Sequence, residues 1–245
     1  MEPQDSGHEL VELFDGRLRL YQQKKGYRFS IDAVLLGSFA ASRASGAVID
    51  LGTGCGILPV MLSRCGALTR IVGLEIQNDL ADLARKNVSY NNCGDRVSIA
   101  RADLRQVRSL FGAEEFDTVI TNPPFYRRDS GRINPDSQKA AARHELNGTL
   151  GDFLSAAAFL LKQTGRLVAV YLSSRAADLI AEMRQRNIEP KVLQCVHARV
   201  GDPATMVLAE GVKGAGAELQ ILPPLVLYDS RGEYTDLVKA IFENV

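Results

Sequence analysis

Apolar and polar positions along the chain follow two different periods, and the changes of period divide it into elements. From Leu10 to Tyr21 residues alternate in character and break at Asp15-Gly16, a dipeptide that tolerates the positive φ angles of a tight turn; a β-hairpin is predicted. Ser30 then precedes the apolar run Ile31-Asp32-Ala33-Val34-Leu35-Leu36, which reads as an N-capped helix entering a core. From Ala47 onward, short apolar runs at Ala47–Leu51, Ile71–Leu74, Val97–Ala100, Thr118–Thr121 and Leu167–Tyr171 alternate with helical stretches that include Leu80–Tyr90 and Phe153–Leu161. That alternation predicts strands joined by crossover helices: an α/β, three-layered architecture with a mostly parallel sheet and helices on both faces. Past the helix-like Ala176–Arg186, the runs Lys191–Val196 and Met206–Glu210, joined through Gly201-Asp202-Pro203, suit an antiparallel hairpin at one sheet edge. Pro223-Pro224 punctuates the tail, and Tyr234–Phe242 has the spacing of a short closing helix.

A length of 245 residues suits one α/β domain with small appendages, and 46% hydrophobic with 24% charged residues is ordinary for a globular chain. Met1 to His8 are polar and acidic, and no stretch reaches the roughly 18 apolar residues of a membrane span, so we expect a cytoplasmic protein with no membrane partner. Cys55, Cys65, Cys93 and Cys195 are scattered without a C-x-x-C pair, which predicts reduced thiols and no zinc site; His8 and His197 also lack metal-ligand spacing. Net charge is zero, so nucleic-acid binding would require a local patch. Two basic clusters qualify. One holds Arg17, Arg19, Lys24, Lys25 and Arg28; the other holds Arg127, Arg128 and Arg132. Either also reads as a solvated face.

The chemistry concentrates at two motifs. Asp50-Leu51-Gly52-Thr53-Gly54-Cys55-Gly56 ends the first core strand and leads into a helix near Ile57-Leu58-Pro59. Its glycines permit a sharp turn and close approach to a ligand. The G-x-G-x-G spacing differs from the G-x-G-x-x-G of dinucleotide sites, which aim a helix at a pyrophosphate. S-adenosylmethionine has no phosphate and carries a sulfonium, an amino group and a carboxylate; Asp50 would suit its cationic portion. Glu75 closes the second strand, about 20 residues on, where a carboxylate can accept from both ribose hydroxyls. Asp103 closes the third strand region and is a candidate acceptor for the adenine amino group. Ile76 and Leu104 stand beside these acids as further candidates, and Thr53 and Gly56 complete the turn.

Asn122-Pro123-Pro124-Phe125 follows the strand Thr118–Thr121. Two prolines fix φ and remove two amide donors, holding the Asn122 side chain and nearby carbonyls as stiff acceptors. Acceptors that grip both N–H bonds of an aryl or amide NH2 favour its pyramidal form and expose the lone pair. Phe125 would stack on a flat substrate. Taken alone, Pro-Pro also reads as a strand terminator and Phe125 as a core plug. His144, between Arg143 and Glu145, reads as structural or phosphate-contacting and not as a general base.

These motifs resemble those of the class I methyltransferases of the small-domain type, and among them the family of tRNA (valine) adenine-N6 methyltransferases. The segments that carry the resemblance are Gly26 to Leu36, Asp50 to Gly56, Gly73 to Gln77, Asn122 to Phe125, Ala142 to Glu145 and Glu210 to Gly214. The resemblance implies a Rossmann-like methyltransferase fold and methylation, with S-adenosylmethionine as cofactor, of an adenosine N6 beside the anticodon. It also implies a cofactor site at Asp50, Gly52, Gly54, Glu75 and Asp103, with Phe29 and Asp32 closing over it. Asn122 through Phe125 would be catalytic. Residues 1–29 are then expected to form an N-terminal extension and residues 30–245 the methyltransferase domain, with Lys24, Lys25, Arg28, Arg127, Arg128, Arg132 and Arg143 facing tRNA. Phe125 stands where many adenine-N6 enzymes have Tyr, and guanine-N2 enzymes acting on ribosomal RNA share the Phe form. A guanine amino group or a glutamine amide therefore remains an alternative acceptor. A non-catalytic binding module would have no use for the Asn122 acceptors.

Overall fold

The structure, a computed structural model, describes residues 7–14, 16–24, 28, 30–124 and 148–243. The expected hairpin forms from β1 (His8–Leu13) and β2 (Leu18–Gln23), antiparallel with Leu13 opposite Leu18. Helix α1 (Ile31–Ala41) follows. Ser30 holds its N-cap position in extended geometry, but its hydroxyl turns to the Asp32 carboxylate and not to the free helix amides.

The main sheet is built on β3 (Gly46–Leu51), β4 (Leu68–Glu75), β5 (Val97–Arg101), β6 (Phe116–Thr121) and β7 (Leu161–Leu172). All five run parallel, in the spatial order β7-β6-β3-β4-β5. β3 is the topological switch: the chain winds outward through β4 and β5, then returns to lay β6 on the other side. Loops after β3 and β6 therefore diverge and open a crevice at the carboxyl ends. Here Leu51 pairs with both Leu74 and Thr121, and the Thr121 hydroxyl donates to the Leu51 carbonyl at 3.0 Å. Gly52 and Asn122 thus leave the sheet from neighbouring positions.

Helices α2 (Ile57–Leu62), α3 (Asn78–Tyr90), α4 (Leu150–Leu160) and α5 (Ala176–Gln185) complete the crossovers. A capping box starts α4 three residues before the predicted Phe153: the Thr149 hydroxyl accepts from the Asp152 amide while Asp152 Oδ2 accepts from the Thr149 amide at 2.8 Å. β7 then begins directly at Leu161, six residues earlier than its apolar run announces. Two apolar clusters flank the sheet. One joins the hairpin, α1, α2 and the tail; the other lies between the sheet and α4 and α5.

The predicted antiparallel hairpin forms from β8 (Ile188–His197) and β9 (Ala204–Lys213), with β9 inserted between β7 and β8. It is not the outermost element, because the short strands β10 (Gln220–Ile221) and β11 (Leu225–Val226) pair parallel with the free side of β8. Helix α6 (Asp236–Glu243) closes the tail near the N-terminal hairpin, where Phe242 meets Phe14 at 6.0 Å between ring centroids. Glu210 and Lys213 hold this side together. Glu210 is buried between Arg166 and Arg43, and the Lys213 ammonium donates to the carbonyls of Ala158 and Leu161 at 2.7 and 2.8 Å, at the last turn of α4.

One polar side chain in the apolar stripe of α3 joins hairpin to core. Asn87, fully buried, donates to the carbonyls of Tyr21 (2.9 Å) and Cys55 (2.8 Å) and accepts from the Tyr21 amide (2.7 Å). Asn91 repeats the arrangement a turn later, donating to the Arg19 carbonyl at 2.8 Å. Replacing Asn87 by Ala strands three backbone groups and is expected to lower stability by about 2–4 kcal/mol. Chemical denaturation measures this, and an unshifted midpoint would show that water replaces the amide without loss.

Candidate active site

The glycine turn begins as β3 runs out of partners. The amides of Gly52 and Thr53 both donate to the Leu74 carbonyl, at 2.9 and 3.0 Å, and fold the chain back across the end of β4. Gly52, Gly54 and Gly56 take φ of 77°, 58° and 83°, the left-handed region that L side chains avoid. Gly56 is also a point of close approach, since a Cβ there would lie 3.0 Å from the Ala84 Cβ of α3. A Cβ on Gly52 would meet the Phe153 ring at 3.2 Å. Phe153 thus supports the turn from α4, a role its sequence context does not announce.

Two carboxylates face this turn from adjacent strands. Glu75 is buried and held from both sides: the Gly54 amide donates to Oε2 and the Gln77 amide to Oε1, each at 2.9 Å. Burial raises its pKa, and these backbone donors oppose the rise. Asp50 is 1% exposed, and neither of its oxygens has a hydrogen-bond partner among the described residues. Burial pushes its carboxyl up to about 7; the nearby Thr53 hydroxyl opposes this without closing a well-formed hydrogen bond, and the Glu75 charge adds to it. A buried carboxylate with four empty acceptor positions is costly unless a cation or donor is to meet it. Cys55, in the same turn, is pushed up to about 12 by burial and is no nucleophile.

Across the switch point, β6 delivers Asn122 into the crevice. Its Nδ2 donates to Asp32 Oδ2 at 2.9 Å, while Oδ1 is buried with no partner among the described residues. Asp32 is itself buried, so the segment before the core reaches the Asn122 motif directly. Pro123 is buried and Pro124 half-buried. Phe29, Lys25, Phe125, Arg127, Arg128, Arg132 and Arg143 lie outside the described residues, as does His144.

Other expected residues have prior engagements. Asp103 lies beyond β5, whose last residue is Arg101, and opens a 3-10 helix, Leu104–Ser109. There it accepts from the Arg105 amide and guanidinium at 2.9 Å, and the guanidinium holds its carboxyl below the usual range. Leu104 is buried in the second apolar cluster, and Ile76 is half-buried at the bend after β4. In the hairpin, Arg28 pairs with Glu9 at 2.7 Å, Arg19 with Glu12 at 3.0 Å, and Arg17 with the carbonyls of Phe14 and Glu243. Lys24 is exposed. Two of the five residues of the first basic cluster, Arg19 and Arg28, thus have their charges answered by acidic neighbours. Among the described residues, no three His, Cys, Asp or Glu side chains gather as a metal site, and no helix is long and apolar enough to cross a membrane.

A glycine turn and a buried strand-end acid thus lie on one side of the switch point of a Rossmann-like methyltransferase fold, with Asn-Pro-Pro on the other. The chain belongs to the methyltransferase small domain family, whose model matches residues 30–186. A tRNA1(Val) (adenine(37)-N6)-methyltransferase of Porphyromonas gingivalis is 35% identical over 158 residues, 62% of this chain and 61% of that protein. The chain thus spans less than two thirds of that relative. A Bacteroides fragilis protein of the same name is 26% identical over 227 residues, 91% of this chain and 94% of its own length. Among solved structures, a predicted O-methyltransferase of Agrobacterium tumefaciens shares the fold with a TM-score of 0.70 at 22% identity, covering 87% of this chain and 95% of that one. M. jannaschii TYW2 in complex with AdoMet gives a TM-score of 0.56 at 12% identity, with 84% and 85% covered.

The Asp50 environment has a measurable consequence for the free protein. The carboxyl titrates near 3.8 when unfolded and near 7 when folded, so the unfolded chain releases its proton first. Stability is greatest below pH 4 on this account and falls as pH rises through about 7, at up to about 1.4 kcal/mol per pH unit between the two values. Asp50→Asn is expected to remove that dependence and to raise the melting temperature at pH 8. Parallel pH–stability curves for the two proteins would contradict it.

Proposed function

We propose that the protein transfers a methyl group from S-adenosylmethionine to the exocyclic N6 of an adenosine in tRNA, beside the anticodon of a valine tRNA. The observation that carries the reaction class is the buried Asn122 Oδ1, without a partner among the described residues, set between the end of β6 and two prolines and beside the glycine turn. S-adenosylmethionine, when bound, supplies an electrophilic methyl group. Asp50, with both oxygens buried and unmatched among the described residues, fits its cationic portion; the spare lone pairs on Glu75 fit the ribose hydroxyls. Asp103, Ile76 and Leu104 border the adenine end in this reading, and Thr53 lines the turn.

Asn122 Oδ1 accepts from an N–H of the incoming amine, and the carbonyls of the Asn-Pro-Pro turn accept from the other. This grip localises the nitrogen lone pair and points it at the methyl carbon. No strong base is needed to begin: as the N–C bond forms, the C–S bond to the sulfonium would break and leave a neutral thioether, and the amine proton, acidic only then, would pass to water. In-line placement is then the principal catalytic task. Phe125 stacks on the base. Lys24, Lys25, Arg28, Arg127, Arg128, Arg132 and Arg143 are the basic residues offered to the phosphate backbone; Arg28 must first exchange Glu9 for a phosphate. Residues 1–29 act as an extension to a catalytic domain of residues 30–245, and the protein works with tRNA in the cytoplasm. The name shared by the relatives favours adenine over guanine or a glutamine amide.

Incubation with labelled cofactor and bulk tRNA, followed by nucleoside analysis, should yield N6-methyladenosine, and Asn122→Ala should reduce it by at least about 100-fold. A product on guanine or on protein would overturn the substrate assignment. Glu75→Ala should weaken cofactor binding by about 1–3 kcal/mol in calorimetry. Unchanged affinity would move the ribose elsewhere.

A further inference from the structure

Only one end of the Asn122 amide is committed within the described structure. Nδ2 donates to Asp32 Oδ2 at 2.9 Å, and Oδ1 is left buried and unpartnered among the described residues. Asp32 stands 90 residues earlier, in the first turn of α1, and is 7% exposed. Its other oxygen takes the Ser30 hydroxyl. The flanking residues Ala33, Val34, Leu35 and Leu36 are all buried in the first apolar cluster, so the carboxylate stands on a firmly seated helix. Free amides at the start of that helix favour a negative group in its first turn.

The two ends of an amide have almost the same shape and opposite hydrogen-bonding character, whereas an ionised carboxylate only accepts. Asp32 therefore discriminates between the two orientations of Asn122. In one, Nδ2 meets the carboxylate and Oδ1 faces the crevice. In the other, two acceptors lie at hydrogen-bond distance with no proton between them, and the amide offers its N–H groups to an amine that is itself a donor. A hydroxyl or a water at the place of Asp32 would accept and donate, and would leave the choice open.

We propose that Asp32 is the positioning residue of the active site: it fixes the Asn122 side chain with its oxygen towards the acceptor amine. The inference rests on the reading of Asn122 as the grip on that amine. It gives Asp32 a task distinct from closing over the cofactor, and it makes Ser30 the partner that holds the free side of the carboxylate. Because the effect falls on the reacting nitrogen, it belongs to kcat and not to cofactor affinity.

The isosteric Asp32→Asn change removes the discrimination while keeping the volume. With saturating tRNA, kcat should fall by about 10- to 100-fold, while the calorimetric affinity for S-adenosylmethionine stays within about threefold and the melting temperature is nearly unchanged. An unchanged kcat, or a loss matched by an equal loss of cofactor affinity, would overturn the proposal. The exchange Asp32→Asn/Asn122→Asp rebuilds a donor–acceptor pair with an oxygen still facing the crevice. It should recover at least about tenfold of the kcat lost in Asn122→Asp, which sets two carboxylates against each other. No recovery would again count against the proposal, even if Asp32→Asn proved unable to fold. The clamp can also be read without substrate, from the side-chain amide NMR signals of Asn122. One Nδ2 proton should be shifted downfield and protected from exchange in the wild type, and should lose both properties in Asp32→Asn; identical signals would refute the clamp. If the wild type shows the signature but does not methylate tRNA, the failure lies with the substrate assignment and not with Asp32.

Discussion

A carboxylate sealed at the end of the central strand is the constraint around which the site is arranged. Asp50 lies where β3 is covered on both faces by apolar layers and flanked by β4 and β6, so it cannot reach water. A hydrophobic residue there would pack without cost. The contacts around it serve other groups: glycines take the left-handed turn, backbone amides hold Glu75, and Thr121 pins β6 against the strand end, while both Asp50 oxygens are left without a partner among the described residues. An unanswered acid at this depth costs stability, and the proposed cationic ligand is the group that would offset that cost.

The crevice has two sides with different origins. On the cofactor side every element is local: strand, turn, helix and the next strand follow one another from Gly46 to Glu75. On the acceptor side the parts come from far apart, since Asn122 at the end of β6 meets Asp32 at the start of α1. The Asn122 side chain is held at Nδ2 by Asp32, whose other oxygen takes the Ser30 hydroxyl, and this chain of contacts does not depend on which base is held.

That difference explains how much of the protein is legible in its sequence. The strand and helix order could be read because apolar runs of four to six residues alternate with helical stripes, and the glycine motif and Asn122 to Phe125 are compact signatures. Glu75 follows from its place at a strand end. The Asp32–Asn122 pair does not, because nothing local distinguishes an acid in the first turn of a helix from an ordinary N-terminal one. Asn87 left a trace, a polar residue at a core position of the α3 stripe, but its partners at Tyr21 and Cys55 are set by tertiary packing. Asp103 and Arg28 are sequence candidates whose charges are answered by neighbours, Arg105 and Glu9, that spacing alone does not pair. Strands β10 and β11 escaped notice because two residues carry no period.

Asn87 links these parts in a further way. Its single amide serves β2 through Tyr21 and the glycine turn through Cys55, so one side chain of α3 ties the hairpin and the turn to the same helix. Movement of α3 would disturb both of them at once, whereas loss of the hairpin alone leaves the bond to Cys55 in place. The N-terminal hairpin and the glycine turn in this sense share an anchor, and α3 is the element on which both depend.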